Sequence, residues 1–180
     1  MTTTALEHAP TTARPLPPEM PVREAVEAYL RENGFTRAAY DAPTTKGTVL
    51  GLPFFVPNTA RHRWAIMLHD LHHVATGFGT DLTGEAEISA WELRGGRLLA
   101  LGWVASLVLM GAFMGLFVAP RRTLRAWRGA AGARNLFRPG VPAEAYAELT
   151  LGQLRQALGI PAEGLAQLPR GLHERAPRAS

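Results

Sequence analysis

The chain has 180 residues, 47% of them hydrophobic, a formal charge of +4 and no cysteine. A chain of this length and composition is expected to form one domain with its own hydrophobic core. The missing thiols exclude disulfides, thiolate zinc sites and cysteine nucleophiles. Any metal must therefore be held by His, Asp and Glu, a donor set that suits zinc or a harder first-row divalent ion.

The N-terminal third of the chain is predicted to contain one helix between two irregular stretches. Residues 1–20 are rich in Thr, Ala and Pro and lack the apolar run of a signal peptide, so we expect a flexible leader. From Pro21, apolar residues recur at helical spacing until Gly34 supplies a stop. Residues 35–58 hold several glycines and prolines, which predict a mostly irregular connection with a strand-like piece within 49–56.

Two helices joined by a glycine-rich turn follow. The first is predicted to be capped by Asn58 or Thr59 and to end at Gly77, a residue type that favours the left-handed C-terminal position. Thr83 is predicted to cap the second helix, which runs to Leu93 or beyond. Acidic residues fill the first turn of this second helix, where the helix dipole favours them.

The stretch from Leu98 to Ala119 carries no charge, and its length meets the threshold for a membrane-spanning helix. Gly111 and Gly115 have the GxxxG spacing that allows another helix to approach closely. Four interpretations compete: a transmembrane span, a helix lying against the membrane, the lining of a greasy channel in a dimer, and a buried core helix. We favour a membrane-associated helix that pairs with a second copy through these glycines.

A basic run follows the apolar stretch, on a helix predicted from Pro120 to about Gly129 and beyond it. The run holds six arginines and no acid: Arg121, Arg122, Arg125, Arg128, Arg134 and Arg138. Such a run can meet anionic lipid, an acidic ligand or nucleic acid. We expect no nucleic acid, because the run adjoins a bilayer-length apolar segment and has little aromatic interleaving. An amphipathic helix from Pro142 to Gly159 is predicted next, and 161–180 is expected to be a flexible tail.

These patterns predict an all-α fold. We expect a single-domain helical bundle over residues 21–160, with one helix-turn-helix that binds metal and one long apolar helix.

The densest ligand chemistry lies in the pentapeptide HDLHH and in Glu85, which follows it after eleven residues. His69 and His73 are spaced i and i+4, which puts both rings on one helix face, about 6 Å apart along the axis. Asp70 lies about 100° round from His69, so it is an edge ligand or a partner that orients a histidine. His72 is expected to contribute only a hydrogen bond. The spacing thus predicts a metal site of His69, His73 and Glu85, with Asp70 as a fourth ligand or as the orienting partner.

Two known classes of metal-dependent hydrolase share part of this pattern. In the zincin motif HExxH a glutamate serves as general base, whereas Asp70 is one methylene shorter, so we do not expect protease chemistry. Phosphohydrolases of the HD type need further His and Asp ligands on other helices. Downstream of the motif the sequence offers only His173, in the expected tail.

The motif HDxxH, eleven residues, then Glu resembles the metal signature of the ubiquinone (coenzyme Q) biosynthesis family named for the fourth Coq gene. The likeness continues through residues 76–85 and the apolar segment, and it resumes at 135–137 and 154–160. It covers roughly residues 50–160. The resemblance implies an all-α, zinc-carrying protein whose ligands are His69, Asp70, His73 and Glu85, with another first-row divalent ion as the alternative to zinc.

The same resemblance implies an activity and a location. The implied activity is oxidative decarboxylation of a polyprenylated hydroxybenzoate at ring carbon 1, where a hydroxyl replaces the carboxylate. A metal-dependent decarboxylase on the cytoplasmic face of the bacterial inner membrane is therefore expected, as a homodimer or within a ubiquinone-synthesis complex. The alternative is a non-catalytic scaffold that binds prenyl lipid. Arg61, Arg63 or Arg121 is expected to pair with the substrate carboxylate, and no catalytic residue is assigned.

Overall fold

The structure, a computed structural model, describes residues 16–49 and 52–166, except for the side chains of 46–49 and 52–54. The all-α prediction is confirmed, with one β-hairpin as the only sheet in the described part. The elements are α1 (Val22–Glu32), α2 (Ala38–Asp41), β1 (Thr44–Val49), β2 (Leu52–Pro57), α3 (Ala60–Thr76), α4 (Leu82–Arg94), a 3-10 segment (Leu98–Val104), α5 (Ala105–Val118), α6 (Pro120–Gly129), a 3-10 turn (Ala143–Tyr146) and α7 (Leu151–Leu158).

Helix α3 is the centre of the fold, and its predicted ends are confirmed. The Thr59 side chain accepts a hydrogen bond from the His62 N–H, and Gly77 closes the helix with φ 79°. Helices α1, α4 and α7 and the 3-10 segment all contact α3. Its buried side chains include Leu68 and Leu71 and the polar residues Asp70, His72 and His73, which lie in or beside the site described below.

The cap of helix α4 lies two residues before the predicted cap at Thr83. Asp81 is the cap, because its carboxylate accepts a hydrogen bond from the Gly84 N–H at 2.7 Å. Gly79 lies so close to Gly84 that a Cβ at position 84 would collide with the Gly79 backbone. The glycine turn therefore folds tightly against the first turn of α4, which places Glu85 beside α3.

The predicted long apolar helix is found over Leu98–Val118, but it is kinked at Gly102, where φ is 59° and ψ is −129°. This non-helical residue lies within the 3-10 segment, before α5 begins at Ala105. The positive φ favours glycine at this position, and a Cβ there would also displace the end of the Arg61 side chain of α3. The kink thus lies beside α3, a contact that the local sequence does not reveal.

The GxxxG glycines are used inside the chain, against the expectation that they pair with a second copy. A Cβ on Gly111 would collide with the Ser89 side chain of α4. A Cβ on Gly115 would lie 2.6 Å from the Ala86 Cβ and 2.5 Å from the Thr123 Oγ1 of α6. The glycines thus let α5 pack antiparallel on α4, with α6 alongside.

The remaining differences lie in connections. The stretch 35–58 is more regular than predicted, because it forms α2 and an antiparallel hairpin that pairs Thr44 with Pro57. The predicted helix from Pro142 is divided into a 3-10 turn and α7, since Thr150 starts a new helix through a capping box with Gln153.

The chain ends expected to be flexible are partly packed. In the expected leader, the Leu16 carbonyl accepts a hydrogen bond from the buried Arg155 guanidinium. In the expected tail, the Leu165 N–H donates to the Thr76 carbonyl at the end of α3. The leader prediction for 1–15 and the tail prediction for 167–180 lie outside the described residues.

Candidate metal centre

Three of the four predicted ligands come together between α3 and α4. The Nε2 atoms of His69 and His73 lie 3.1 Å apart, and each lies 3.4 Å from an oxygen of Glu85. Bonds of about 2.0–2.1 Å in a tetrahedral arrangement place ligand atoms about 3.3 Å apart. His69, His73 and Glu85 therefore have the spacing of ligands around one first-row divalent ion.

The hydrogen bonds on the far side of each ring direct the lone pairs inward. The His73 Nδ1 lies 3.1 Å from the Phe78 carbonyl oxygen, and the His69 Nδ1 lies 2.8 Å from the Glu92 carboxylate. Both partners are acceptors, so each Nδ1 carries the proton and each Nε2 of a neutral ring is an acceptor. Two lone pairs and the Glu85 carboxylate then face one another, an arrangement that requires a cation between them.

The charges around the site agree with that requirement. Burial disfavours the imidazolium form of His69, but the carboxylates of Glu92 and Glu85 outweigh burial and raise the pKa of His69 well above its usual value. Burial also disfavours the carboxylate of Glu85, yet His73 and His69 lower its pKa well below the usual range. The site therefore attracts positive charge, which a proton supplies in the metal-free protein and a metal ion would replace.

The group is open on one side. The His73 side chain is fully buried, whereas 24% of the His69 side chain and 43% of the Glu85 side chain are exposed. Three protein ligands with an accessible position are typical of catalytic metal sites, while structural sites usually have four.

The fourth predicted ligand, Asp70, is not brought into this group. Its carboxylate accepts hydrogen bonds from the Tyr29 hydroxyl at 3.1 Å and the Tyr40 hydroxyl at 2.5 Å. The ring of Tyr29 also stacks on His73, with centroids 5.8 Å apart. Asp70 thus anchors α1 and α2 to α3 and supports His73 indirectly, which is the orienting role left open for it by its position on the helix.

Glu92 is the site residue that sequence reasoning missed. It is fully buried on α4, and one of its oxygens accepts hydrogen bonds from both His69 and His72. Glu92 follows Glu85 by seven residues, so the two carboxylates lie on the same face of α4, two turns apart. That spacing was a signal in the sequence that could have identified Glu92.

Other candidate residues take structural positions. His72 contributes hydrogen bonds only, as expected. Arg61 packs on Gly102, and the Arg63 guanidinium donates to the Asn58 carbonyl at 2.9 Å. Arg121 lies exposed at the start of α6. The structure therefore gives neither Arg61 nor Arg63 a contact with the three-ligand group.

A large apolar surface lies on the outer side of the same unit. The segment Leu98–Val118 is long and apolar enough to cross a membrane, with a mean hydropathy of 2.1, and only 28% of it is buried. We call its outward side the apolar face, formed by Leu99, Trp103, Leu109, Met110, Phe113, Leu116, Phe117 and Val118, all at least 41% exposed. Soluble proteins rarely leave a contiguous apolar patch of this kind uncovered.

No protein-family model, no curated protein and no solved structure matches this chain. The resemblance to the ubiquinone-biosynthesis family therefore rests on the motif residues alone.

Proposed function

We propose that the protein is a membrane-associated metalloenzyme of the ubiquinone-biosynthesis type. Its substrate is a polyprenylated hydroxybenzoate or related quinone precursor, and its reaction is oxidative decarboxylation at ring carbon 1. The observation that carries the proposal is the open two-His, one-Glu group between α3 and α4, together with α5, which packs on α4 with one side and carries the apolar face on its other side. One compact unit thus offers a place for a polar head and a place for a lipid tail.

The polar head is proposed to enter from the exposed side of the group. His69, His73 and Glu85 would hold the ion, and the buried His73 with its Phe78 and Tyr29 neighbours closes the opposite side. A bound divalent ion would supply Lewis-acid polarisation of the phenol or carboxylate. Because 43% of the Glu85 side chain is exposed, a ligand could approach the group from this side.

The overall reaction constrains the choice of metal. Replacing a ring carboxylate by hydroxyl releases carbon dioxide and removes two electrons from the substrate, so an oxidant is required. We propose dioxygen as that oxidant: water supplies the hydroxyl oxygen, and dioxygen takes up the two electrons and two protons as hydrogen peroxide. Two His and one carboxylate suit both zinc and ferrous iron. Because zinc does not change its oxidation state, a redox-active divalent ion fits the oxidative reaction better, and zinc fits the binding role alone.

The lipid tail is proposed to lie along the apolar face, which would also rest on the membrane. Exposed arginines on α6, next to α5 in the fold, include Arg121 and Arg128. Basic side chains beside an apolar surface favour the anionic lipids of a membrane surface. We propose that this side of the protein faces the cytoplasmic leaflet of the bacterial inner membrane.

The decisive experiment is turnover by purified protein. The protein is loaded with ferrous iron or zinc and incubated in air with a prenylated 4-hydroxybenzoate in detergent, and products are followed by mass spectrometry. The proposal predicts a product in which a hydroxyl has replaced the carboxylate, and no product from His73→Ala. An intact substrate that is nevertheless bound by iron-loaded protein would contradict the enzymatic proposal.

One observation favours the scaffold alternative. In the part of the chain that the structure describes, Asp70, His72 and Glu92 all use their side chains in hydrogen bonds beneath the site. None of these three lies at the accessible side as a free general base. Binding of the prenylated acid without turnover, together with assembly into a larger complex, is the result that a prenyl-lipid scaffold predicts.

A further inference from the structure

We infer that Glu92 is a positioning residue of the metal centre and that His72 holds it in place. The inference rests on the metal-binding part of the proposed function and is independent of the reaction. In this inference Glu92, and not Asp70 of the sequence motif, is the carboxylate whose hydrogen bond orients the ligand His69.

The geometry around Glu92 fixes the ring of His69. Oxygen Oε1 of Glu92 accepts the Nδ1–H of His69 at 2.8 Å and the Nδ1–H of His72 at 2.7 Å. Because His69 is held at Nδ1, its Nε2 lone pair points towards His73. A carboxylate bonded to the far nitrogen of a ligating histidine also raises the basicity of that ligand.

A backbone hydrogen bond on the far side of the His72 ring fixes its Nδ1 as a donor. The Leu136 backbone N–H donates to the His72 Nε2 at 2.8 Å, so the His72 proton must be on Nδ1, facing Glu92. The other tautomer, with its proton on Nε2, would set two N–H groups against each other. The ring also lies against Trp91 and Phe137, with centroids 5.1 and 4.9 Å away. His72 therefore presents one fixed donor to Glu92.

The segment 135–137 secures this arrangement from outside. The Asn135 side-chain amide donates to the Glu92 backbone carbonyl at 3.0 Å, and its carbonyl oxygen accepts the Phe137 N–H at 3.3 Å. A chain of contacts thus runs from this segment through His72 and Glu92 to His69. This gives a physical reason for the sequence Asn-Leu-Phe at a point far from the ligands.

Charge favours the same assignment. Glu85 and Glu92 together supply two negative charges beside neutral imidazoles, which balance one divalent cation. A buried charge is costly unless it is paired, and Glu92 has only the two imidazole N–H groups as partners on Oε1, while Oε2 has none in the described part. A metal bound to His69 would compensate that buried charge. Asp70, in contrast, already has two tyrosine hydroxyl donors.

The test measures zinc affinity of the full chain with a competing chromophoric chelator. Glu92→Gln keeps the shape of the side chain and removes its charge. The inference predicts that zinc binds about 10- to 100-fold more weakly, the range typical for such outer partners. The matched control is Glu87→Gln, a buried acid on the same helix that pairs with Arg122 and should bind zinc like the wild type.

Two further measurements distinguish a positioning role of Glu92 from a purely structural role. The visible spectrum of the cobalt-substituted protein reports ligand geometry, and Glu92→Gln should change it, whereas Glu87→Gln should not. Thermal unfolding in EDTA measures the stability of each metal-free variant separately. If Glu92→Gln does not fold, Glu92→Asp retains the charge but shortens the reach, and it should bind zinc more weakly than wild type.

The outcomes are distinguishable from failure of the proposed function. Wild-type-like zinc affinity and an unchanged cobalt spectrum in a folded Glu92→Gln would overturn the inference, and so would wild-type affinity in Glu92→Asp. A wild-type protein that binds no zinc or iron would instead overturn the proposed metal site itself.

Discussion

Two contrasting regions lie on opposite sides of the packed pair α4 and α5. One is the polar centre between α3 and α4, and the other is the apolar face on the outer side of α5. In the centre, His72, His73 and Glu92 are at most 1% exposed and all hydrogen-bonded. On the face, Phe117 is 70% exposed and Leu99 98% exposed. A folded chain normally buries apolar groups and exposes charged ones.

The contrast shows that each region is suited to a partner: a cation at the polar centre and apolar material on the apolar face. Buried acceptors that face one another are unfavourable until a cation joins them. Exposed aromatic and aliphatic side chains are unfavourable until apolar material covers them. Helices α4 and α5 lie between the two surfaces, and α4 packs on the inner side of α5. Because the two surfaces share no residue, variants that disturb one of them should leave the other intact.

The largest effect is expected at the metal ligands. His73→Ala removes one ligand of three and a buried ring, so metal binding and activity should be lost together. Elemental analysis of the purified variant should find no bound metal, while its binding to liposomes stays at the wild-type level. A full complement of metal in His73→Ala would show that His73 is not a ligand.

Substitutions on the apolar face should weaken membrane binding without changing metal binding. Phe113→Glu and Phe117→Glu place a charge where an aromatic ring would enter lipid. Losing the burial of a phenylalanine costs about 1.5–3 kcal/mol, so binding to vesicles of phosphatidylcholine and phosphatidylglycerol should fall about tenfold or more in co-sedimentation. Metal content should not change.

A matched control for the face is Phe55→Glu, because Phe55 is 63% exposed on β2 and Phe113 is 60% exposed on α5. The control should bind vesicles like the wild type. Equal losses in Phe55→Glu and Phe113→Glu would mean that general exposure, and not the α5 face, governs membrane binding.

The contact that joins the two regions can be tested at the glycines. Gly115→Ala forces a Cβ to within 2.6 Å of the Ala86 Cβ, and overpacking of this kind costs about 1–3 kcal/mol. Urea denaturation should show that loss in the free energy of unfolding. Gly129→Ala is the control, since its nearest neighbour would lie 3.6 Å away. An unchanged free energy of unfolding together with a changed oligomeric state would instead indicate that Gly115 pairs with a second copy of the chain, as expected from the sequence.

The smallest effect on metal is expected at Asp70. Asp70→Asn weakens the hydrogen bonds from Tyr29 and Tyr40, so stability should fall by about 1–2 kcal/mol. Metal content should stay at the wild-type level, because the Asp70 carboxylate faces the tyrosines. Loss of metal from a folded Asp70→Asn protein would restore Asp70 as a ligand.

The parts of the fold that could be predicted from sequence are those set by local signals. The cap at Thr59, the stop at Gly77 and the helix from Pro120 to Gly129 depend on residues within a few positions of one another. Spacing along α3 likewise brought His69 and His73 together. The i, i+4 pattern needs no tertiary information.

The parts that could not be predicted depend on distant partners. The kink at Gly102 lies beside Arg61 of α3, and the diversion of Asp70 requires Tyr29 and Tyr40, thirty residues or more upstream. The spacing from Glu85 puts Glu92 on the same face of α4, but its hydrogen bonds to His69 and His72 depend on how α4 packs against α3. Helical spacing indicates which residues share a face, but it does not say which neighbour that face meets.

The central claim is that His69, His73 and Glu85 bind one divalent ion with Asp70 outside the coordination sphere. Anomalous diffraction at the zinc edge from crystals grown with zinc tests it most directly. The account predicts one ion about 2.0–2.2 Å from the Nε2 atoms of both histidines and a Glu85 oxygen. An ion bound by the Asp70 carboxylate, or no ion between α3 and α4, would contradict it.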